Sequence, residues 1–379
     1  MTKLNICIIA HLAYGAMKGG SSGHAGGVEH QTSMTARWLA KRGHQVSLLT
    51  WDESGEKIEI IDGVKVYSLC RQNAGLRGLR FFHPRWTSLV KAMAMADAEI
   101  YYHNCAEYVT GQIALWCRRN NRKFVYSVAS DTECELESPD TKKFYVRQLY
   151  RYGLHHADRI IVQTQAQKRM LAENFSLESE VLPMPCLGPL DNEGRKARLP
   201  ERTKRILWVG RIDPEKRLEL LLDVAEAMPD MFFDVAGKPS DPSCSYAKNV
   251  LARAATYSNV NIHGMVPRDK MADLYRNASI LCCTSLYEGF PNVFLEAWSC
   301  GIPIVSTFDP DNLIERKGLG AFVRDRTELI SSLHRLHASD TEYEQLSRNA
   351  RQYYEQHHEL NRAMMNFERL FFDVKGLHA

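Results

Sequence analysis

The stretch Ser279–Thr307, SILCCTSLYEGFPNVFLEAWSCGIPIVST, contains the repeating unit of an open α/β sheet. SILCCTS and IPIVST are short apolar runs, and each predicts a buried strand. Residues 292–300 between them predict a helix, with Pro291 near its first position, where the N–H that proline lacks would have no partner. A strand, a helix and a second strand in this order predict a parallel sheet that helices cover on both faces.

The same unit recurs along most of the chain. Further strands are predicted at LNICIIA, QVSLLT, GVKVYSL, EIYYHN, KFVYSVA, RIIVQT, RILWVG, MFFDVAG and NVNIHG, and further helices at residues 30–43, 215–227, 243–257 and 269–276. Residues 188–203 interrupt this alternation with prolines, glycines and charges, which predict a linker. We therefore expect an α/β fold of two Rossmann-like, doubly wound domains, residues 1–187 and 204–358, that face each other across a deep cleft. The helical residues from about 359 to 379 are expected to pack back on the first domain.

Composition agrees with two soluble domains and argues against some partners. The chain has 379 residues, of which 45% are hydrophobic and 25% charged, and its formal net charge is only +3. A nucleic-acid-binding protein usually carries a stronger basic excess or a known binding motif, so no nucleic-acid partner is expected.

Cysteine usage and the N-terminus favour a cytoplasmic protein. The ten cysteines include no CxxC pair, and their spacing fits neither a zinc site nor a disulfide framework. The first apolar run is too short for a signal peptide and is better interpreted as a strand. No run approaches the roughly 20 apolar residues that span a bilayer.

Two cations follow the predicted strand RILWVG. Arg211 comes directly after Gly210, and Lys216 lies five residues further on, where a helix is expected to begin. Parallel strands present ligand sites at their carboxyl ends, and cations near a helix N-terminus suit an anion such as a diphosphate. The alternative is a solvated pair of surface charges.

Two glutamates flank the helix in the opening stretch. Glu288 lies in the loop after SILCCTS, and Glu296 lies about one turn inside the helix. The N–H groups of Asn292 and Val293 are free to hold a phosphate at the positive end of the helix dipole. The carboxylates would repel that phosphate, so sugar hydroxyls are their natural partners. The alternative is stabilisation of the helix N-terminus by charge, which suits Glu296 better than Glu288.

These motifs resemble those of a known family. EGFPNVFLE is similar to the glutamate–seven–glutamate motif of glycosyltransferase family 4, whose members are retaining enzymes with the GT-B fold of two Rossmann-like domains. VGRIDPEK, DVAGKP and NVNIHGMV resemble the same family, as does AGGVEHQTSMTARWLAKRGHQVSLLT in the first half. The resemblance covers the whole chain and is strongest over Arg205–Thr307.

The resemblance implies roles for particular residues. Arg211 and Lys216 would neutralise the donor diphosphate, and Glu288 would bind hydroxyls of the transferred sugar. Glu296 would bind the ribose, and Met265 would lie at the nucleobase. The remaining donor contacts that it implies are Gly210, the backbone amides from Phe290 through Pro291 and Asn292 to Val293, and the glycine pair Gly26 and Gly27.

Physical chemistry agrees with this assignment. Negative charge grows on the β-phosphate as the anomeric bond breaks, and fixed cations aimed at that charge are a large term in catalysis. No metal and no other cofactor is then expected, apart from the nucleotide sugar as co-substrate. In a front-face retaining route the leaving phosphate helps to deprotonate the acceptor, so the paired carboxylates of hydrolases are not needed. The expected activity is transfer to a glycan or lipid-linked saccharide, in cell-surface polysaccharide or glycoconjugate biosynthesis.

The chain departs from the family pattern at two points. Many relatives have a histidine after the strand KFVYSV, where this chain has Ala129, Ser130 and Asp131. His103, at the end of the strand EIYYHN, is one replacement, and a structural histidine is the alternative. Ser130, Asp131 and His103 are therefore the candidate acceptor residues. Relatives also often carry a glycine pair after PIV, where this chain reads STFDPDNLIE.

The glycine-rich stretch Gly15–Thr32 is interpreted as two parts with different roles. Gly26 and Gly27 lie at a predicted helix N-terminus, where a missing Cβ lets a phosphate or sugar approach the backbone. GAMKGGSSGH, Gly15–His24, is longer than this role needs and is interpreted as a mobile flap.

Two weaker motifs leave alternatives open. Asp309-Pro-Asp311 has the spacing of a DxD metal motif, but DPDN is a good turn sequence, and no metal site is expected there. RQNAGLRGLRFFHPRW, Arg71–Trp86, mixes four arginines with aromatic residues. It could touch anionic lipid at the inner face of the plasma membrane, or it could form a loop over the acceptor site with its aromatic side chains packed inward.

Other functions fit the pattern less well. A GT-B-shaped epimerase or phosphorylase would share the site, and a catalytically silent nucleotide-sugar-binding partner would share the fold. A Rossmann dehydrogenase is less well supported, because the glycine stretch is not GxGxxG and no acidic ribose-binding residue follows it at a clear spacing.

Overall fold

The structure, a computed structural model, describes residues 2–19, 26–138, 141, 143–189 and 203–377. The chain divides into two compact units, one formed by Met1–Pro185 and Ala363–Ala379 and the other by Cys186–Arg362. Most of the predicted linker, residues 190–202, lies outside the described residues.

The first unit is built on an eight-stranded sheet. Its strands are β1 (Asn5–Ile9), β2 (Gln45–Thr50), β3 (Ile58–Ile61), β4 (Val64–Ser68), β5 (Ile100–Asn104), β6 (Lys123–Ser127), β7 (Arg159–Val162) and β8 (Glu180–Val181). Their order is β3-β4-β2-β1-β5-β6-β7-β8. All of these pairs are parallel except β3 with β4, which form an antiparallel hairpin at one edge.

Helices connect the strands of this unit. They are α1 (Tyr14–Lys18), α2 (Gly27–Lys41), α3 (Thr87–Ala96), α4 (Tyr108–Arg119), α5 (Phe144–His155) and α6 (Gln165–Phe175). The central strands are buried on both faces, as the continuous apolar runs predict: Ile8, for example, is fully buried and pairs with Leu48 on one side and Tyr102 on the other.

The second unit has a six-stranded sheet whose pairs are all parallel in the part of the chain described. Its strands are β9 (Arg205–Val209), β10 (Phe232–Ala236), β11 (Val260–Gly264), β12 (Ile280–Cys283), β13 (Ile304–Ser306) and β14 (Gly320–Phe322), in the order β11-β10-β9-β12-β13-β14. Its helices are α7 (Leu218–Ala227), α8 (Ser245–Ala254), α9 (Arg268–Asn277), α10 (Asn292–Ser299), α11 (Leu313–Lys317), α12 (Arg326–Ala338) and α13 (Asp340–His357).

The last helix, α14 (Leu360–Lys375), brings the chain back to the first unit. Its Phe371 is fully buried, with its ring centroid 5.9 Å from that of Tyr102 in β5. Its Glu368 pairs with Arg42 at 3.1 Å and with His44 at 2.8 Å. The amphipathic pattern of the terminal residues is therefore explained by burial against β5 and the end of α2.

Some predicted elements differ from the observed ones. The second helix begins at Gly27 rather than residue 30. Lys216 ends a short 3-10 turn, Pro214–Lys216, and α7 begins only at Leu218, because Arg217 has a left-handed φ of 48°. The prediction missed β3, β8 and β14, which are edge strands of two to four residues.

The first part of the predicted flap is a helix instead. Residues Tyr14–Lys18 form α1, and the side chain of Met17 is buried. Arg37 donates to the backbone carbonyls of Ala16 and Met17 at 3.3 and 2.6 Å. These contacts hold α1 against α2. Residues 20–25 of the predicted flap lie outside the described residues.

Within the described ranges, no helix is both long enough and apolar enough to cross a lipid bilayer.

Candidate active site

Loops after β9, β12 and β13 meet at the carboxyl edge of the second sheet. The hydroxyl of Thr284 donates to the carbonyl of Lys216 at 2.6 Å, and the N–H of Leu286 donates to the carbonyl of Glu215 at 2.9 Å. These bonds join the loop before α7 to the loop before α10. The carboxyl edge is where open α/β sheets bind ligands.

Arg217 fixes this junction. Its Nε donates to the carbonyl of Thr284 and its Nη2 to Oγ1 of Thr307, both at 2.7 Å. The left-handed backbone of Arg217 ends the 3-10 turn and directs Lys216 away from α7. The conformation is unusual for a residue with a long side chain, and these two hydrogen bonds stabilise it.

Lys216 and Glu288, two of the three predicted catalytic residues, are in contact. The Lys216 ammonium donates to Oε1 of Glu288, and the hydroxyl of Ser285 donates to the same oxygen at 2.7 Å. The two charged side chains are 16% and 17% exposed. A cation and a carboxylate that are 72 positions apart in the chain thus form one partly buried pair at the sheet edge.

The N-terminus of α10 lies beside Glu288 in the chain. Pro291 is the N-cap residue rather than the first helical residue, and Phe294 N–H donates to its carbonyl at 3.0 Å. Asn292 and Val293 are the first two residues of the helix, so no carbonyl of the helix stands four residues before their N–H groups. The Phe290 side chain is buried against Trp298 and His358, so only its backbone can face a ligand.

Arg211 has different partners. Its guanidinium lies 3.5 Å from Asp213, 3.2 Å from Glu215 and 3.3 Å from the hydroxyl of Ser240, and its side chain is 63% exposed. The expected convergence of Arg211 with Lys216 is therefore not a side-chain contact in the structure. Arg211 remains free to turn, because exposed ion pairs of this kind are worth at most about 1 kcal/mol.

Glu296 is held by two residues that the sequence analysis missed. Tyr275 donates to Oε2 of Glu296 at 2.7 Å, and Arg268 lies 2.6 Å from Oε1. Burial, and then the charge of Glu296, raise the pKa of the Tyr275 hydroxyl, so it remains a donor. Met265 is 37% exposed and lies three residues before Arg268, between β11 and α9.

Three neighbouring strands of this sheet end in or just before glycines: Gly210, Gly237 and Gly264. Gly237 has a φ of 155°, and a Cβ there would lie 1.7 Å from the carbonyl oxygen of Gly210. The ends of β9 and β10 can approach so closely only because position 237 has no side chain. Gly210 was a predicted donor contact, whereas Gly237 and Gly264 were not.

The predicted glycine pair begins α2 in the first unit. Gly26 is the N-cap residue, and Gly27 is the first helical residue. A Cβ at Gly26 would lie 2.3 Å from Oε2 of Glu29, so the carboxylate of the first turn folds back over the helix N-terminus. The close approach that the sequence analysis expected for a ligand is taken here by that carboxylate.

The three acceptor candidates lie in the first unit. His103 is buried, and its Nδ1 bonds to the carbonyl of Ile9 at 2.9 Å, while its Nε2 has no hydrogen-bond partner. Burial lowers the pKa of His103. Ser130 contacts the hydroxyl of Thr132 at 3.0 Å within the turn after β6, and Asp131 of the same turn accepts from Gln167 in α6 at 2.9 Å.

Asp309 caps the N-terminus of α11. Its carboxylate accepts from the N–H groups of Ile314 and Glu315 at 2.8 and 3.2 Å, at the start of α11. Within the described residues no three His, Cys, Asp or Glu side chains are grouped so that they could hold a metal ion.

One signal in the sequence could have identified Arg268. It is the first residue of α9, where the helix dipole disfavours a cation, so its presence there indicates a carboxylate partner elsewhere. Ser285 and Arg217 gave no such signal, because their roles depend on contacts with distant loops.

Comparisons with known proteins agree across both units. Residues 26–186 match the family described as "Glycosyl transferase 4-like domain", and residues 191–353 match "Glycosyl transferases group 1". The chain is 26% identical, over 83% of its length and 75% of the relative's, to a D-inositol 3-phosphate glycosyltransferase of Mycobacteroides abscessus. It is 27% identical, over 55% of its length and 60% of the relative's, to an amylovoran biosynthesis glycosyltransferase of Erwinia amylovora.

Solved structures show the same fold. The sucrose-phosphate synthase of Thermosynechococcus elongatus matches with a TM-score of 0.77 at 19% identity, over 98% of this chain and 99% of that one. Anabaena HepE in complex with UDP-glucose matches with a TM-score of 0.75 at 14% identity, over 98% of this chain and all of that one. The expected GT-B class, with two parallel-sheet α/β units, is therefore confirmed. Because the two family matches leave out only residues 187–190 between positions 26 and 353, the chain belongs to the GT4-like group 1 glycosyltransferases.

Proposed function

We propose that this glycosyltransferase moves a sugar from a nucleotide-diphosphate sugar to a glycan or lipid-linked saccharide, with retention at the anomeric carbon and without a metal ion. The observation that carries the proposal is the Lys216–Glu288 pair beside the N-terminus of α10. It joins a cation for a diphosphate, a carboxylate for sugar hydroxyls and two helix N–H groups in one partly buried site. The structure of HepE, whose bound ligand is UDP-glucose, supports a donor of this class.

The proposed reaction breaks the bond between the anomeric carbon and the β-phosphate oxygen. The ammonium of Lys216, the guanidinium of Arg211 and the N–H groups of Asn292 and Val293 stabilise the charge that develops on the leaving diphosphate. The acceptor hydroxyl attacks the same face of the sugar, and its proton passes to the leaving phosphate. Protein cations supply the positive charge in this route, so we expect chelators to leave the rate unchanged.

Donor binding would exchange the partners of Lys216 and Glu288. The ammonium turns to the diphosphate, and the carboxylate accepts hydrogen bonds from sugar hydroxyls, so neither charge is left without a partner. Glu296 binds the ribose and Met265 lies at the base in this proposal. Arg268 supports placing Glu296 and Met265 in one nucleoside site, because it contacts Glu296 and follows Met265 by three residues in the chain.

We propose that the first unit binds the acceptor. Gly26 and Gly27 at the start of α2 would contact it or the donor diphosphate, and His103, Ser130 and Asp131 are the earlier candidates for acceptor contacts. The buried Nε2 of His103, which has no partner, supports a role in binding. The side chains of Ser130 and Asp131 already bond to Thr132 and Gln167, which weakens their case.

We propose that the enzyme is cytoplasmic and contacts the anionic inner face of the plasma membrane peripherally. Phe81 packs inward against Tyr108 and Tyr145. Leu79 and Phe82, however, are 61% and 62% exposed beside the arginines of Arg71–Trp86. Exposed apolar side chains with basic neighbours favour an interface with anionic lipid.

A flotation experiment tests this location. The wild type is expected to bind vesicles with phosphatidylglycerol at low salt, and the variant Phe82→Ser to bind them several-fold less. Ile60→Ser is the matched control, since Ile60 is 78% exposed on β3. No binding at low salt, or equal loss in both variants, contradicts the proposal.

The activity itself is tested with a panel of nucleotide sugars and saccharide acceptors. We expect product and nucleoside diphosphate only when both substrates are present, with Lys216→Ala and Glu288→Gln at least about 100-fold slower. Lys248→Ala, on the exposed face of α8, is the control. Conversion of the donor without acceptor would indicate an epimerase, and near-normal rates in both site variants would refute the site. The anomeric configuration of the product decides whether transfer is retaining.

A further inference from the structure

A cavity of about 440 Å³ opens at the carboxyl edge of the first sheet. Its lining follows several parallel strands: His11 comes after β1, Trp51 after β2 and Glu107 after β5. Arg85 precedes α3, and Lys143 precedes α5. This is the edge at which an open α/β sheet binds its ligand, and the volume suits a small saccharide.

One wall of the cavity is aromatic and rigid. The ring of Trp51 stacks on that of His11, with centroids 4.1 Å apart and planes at 15°. The guanidinium of Arg85 lies 5.7 Å from the centre of the same indole, and its Nη2 donates to the carbonyl of Gln72 at 2.8 Å. These two contacts place the Arg85 guanidinium beside the aromatic wall.

Among the described residues that line the cavity, Glu107 is the one carboxylate, and it is already engaged. Glu107 lies 2.9 Å from Nδ1 of His11 and caps the first turn of α4. Burial raises the pKa of Glu107, but the charge and hydrogen bond of His11, together with the charges of His103 and Arg85, outweigh this effect and lower it, so the carboxylate stays ionised. Its charge is thus held by His11 and the helix N-terminus.

Two cations in the cavity lack so close an ion pair, although Arg85 acts on Glu107 through its charge and forms a hydrogen bond with Tyr108. Among the described residues, no carboxylate lies within 4 Å of Arg85 or of Lys143. The Nε of Arg85 is buried and makes no hydrogen bond there. Arg85 is partly buried, and such cations are normally paired, whereas Lys143 is exposed; the lining therefore has donors and positive charge to offer to an anion.

We infer that this cavity is an acceptor subsite for a saccharide that carries a negative group, a phosphate or a carboxylate, bound by Arg85 and Lys143. Tyr108 and Tyr145, which also line it, offer ring faces to the sugar. The inference rests on the proposed transfer to a saccharide, and it adds the charge of that saccharide.

Binding of three simple sugars tests the inference. Glucose 6-phosphate and glucuronate are the acidic probes, and glucose is the neutral one, each titrated into the full chain in the presence of UDP. We expect at least one acid to bind about tenfold or more tighter than glucose, because hydrogen bonds between charged groups are worth about that much. Added salt should reduce the difference.

Variants identify the cations. Lys143→Gln and Arg85→Gln are each expected to remove most of the preference for the acid, whereas Lys168→Gln, on the exposed face of α6, should retain it. Lys143 is exposed, so its variant answers the question even if Arg85→Gln disturbs the fold. UDP binding is measured in the same samples and separates this inference from the proposed function. If the wild type does not bind UDP, the proposed function is contradicted and this inference is not.

Three results would overturn the inference. The first is equal affinity for glucose and both acids, and the second is an unchanged preference in both variants. The third is that neither acid binds up to its solubility limit while phosphatidylglycerol vesicles bind and need Lys143, because the cations would then serve a lipid surface.

Discussion

At the scale of the residue, the carboxylate of Glu296 has two partners of different kinds. Tyr275 is buried and neutral, while Arg268 is a cation whose side chain is 47% exposed. An exposed cation can leave its partner at small cost, but a buried donor cannot. Arg268 is thus the partner that a ribose would replace, and Tyr275 is the one that holds the carboxylate in place.

This argument predicts how Glu296→Gln changes nucleotide binding. A carboxylate that accepts from ribose hydroxyls contributes about 1.5–3 kcal/mol, so we expect the variant to bind UDP about ten- to a hundredfold more weakly. Isothermal titration with UDP and with 2′,3′-dideoxy-UDP measures the effect. The analogue lacks the hydroxyls and should bind both proteins alike; an equal loss for both nucleotides would show that Glu296 has only a structural role.

At the scale of the element, the sheet edge of the second unit depends on where the strands stop. β9 and β10 come together at Gly210 and Gly237, with no room for a side chain at position 237. The loop from β9 to α7, which carries Arg211 and Lys216, starts from this contact. A change there should affect both stability and the position of this loop.

We expect Gly237→Ala to lower the free energy of unfolding by about 2–3 kcal/mol, since the added Cβ must displace the backbone of β9. Gly264→Ala is a matched control, because Gly264 has a φ of 63° but no atom within 4 Å of an added Cβ. It should cost only about 1–2 kcal/mol, for the left-handed backbone alone. Urea unfolding of the two variants compares them, and equal losses would rule out the steric explanation.

Helix α14 gives the first unit a dependence on pH. Burial raises the pKa of Glu368, but its hydrogen bonds with Arg42 and His44 outweigh this effect and lower it below its ordinary value. A carboxyl group whose pKa is lowered by folding stabilises the folded state above its unfolded pKa, about 4.3, and loses that contribution as the pH falls through its folded pKa. Unfolding of the wild type should therefore become easier below about pH 4.3, and the slope should be smaller in Glu368→Gln. Identical slopes would contradict this contribution.

Most of the strands that the sequence predicted share one property, burial on both faces; β11, which was predicted although its middle residues are exposed, is an exception. β1, β2, β5 and β9 are buried in this way, and their continuous apolar runs were sufficient. β3 alternates between exposed and half-buried residues at an edge, and β14 has three residues, so neither produced a run. The start of α7 was misplaced because the left-handed backbone of Arg217 interrupts the helix there, and Arg217 is neither glycine nor proline.

The candidate site could likewise be predicted only in part. Residues directly after strands could be named, because chain order fixes the edge at which they lie. Which side chains meet could not, since Arg211 turned to Asp213 and Glu215 while Lys216 turned to Glu288. The pairing of Glu296 with Arg268 depends in the same way on the packing of α9 beside α10, which no local pattern records.

At the scale of the whole molecule, the chain passes from the first unit to the second and returns through α14. The buried residues of α14 complete the core of a unit whose other residues lie more than 170 positions earlier: Ala363, Met364, Phe367, Leu370, Phe371 and Val374. The first unit therefore cannot complete its core until the last residues have been synthesised. The second unit, Cys186–Arg362, is continuous in sequence.

This difference predicts that one substitution in α14 separates the two units thermodynamically. Phe371 is fully buried in the first unit, so Phe371→Ala should cost that unit about 3–5 kcal/mol. The second unit keeps all its residues, and its affinity for UDP should stay within about twofold of the wild type, well under the 1.4 kcal/mol of a tenfold change.

Differential scanning calorimetry with and without UDP measures both effects: the substitution should lower the temperature of one transition, and the nucleotide should raise that of the other. Met365→Ala is the control, since Met365 is 54% exposed on the same helix. A single transition that Phe371→Ala and UDP shift together would show instead that the two units unfold as one.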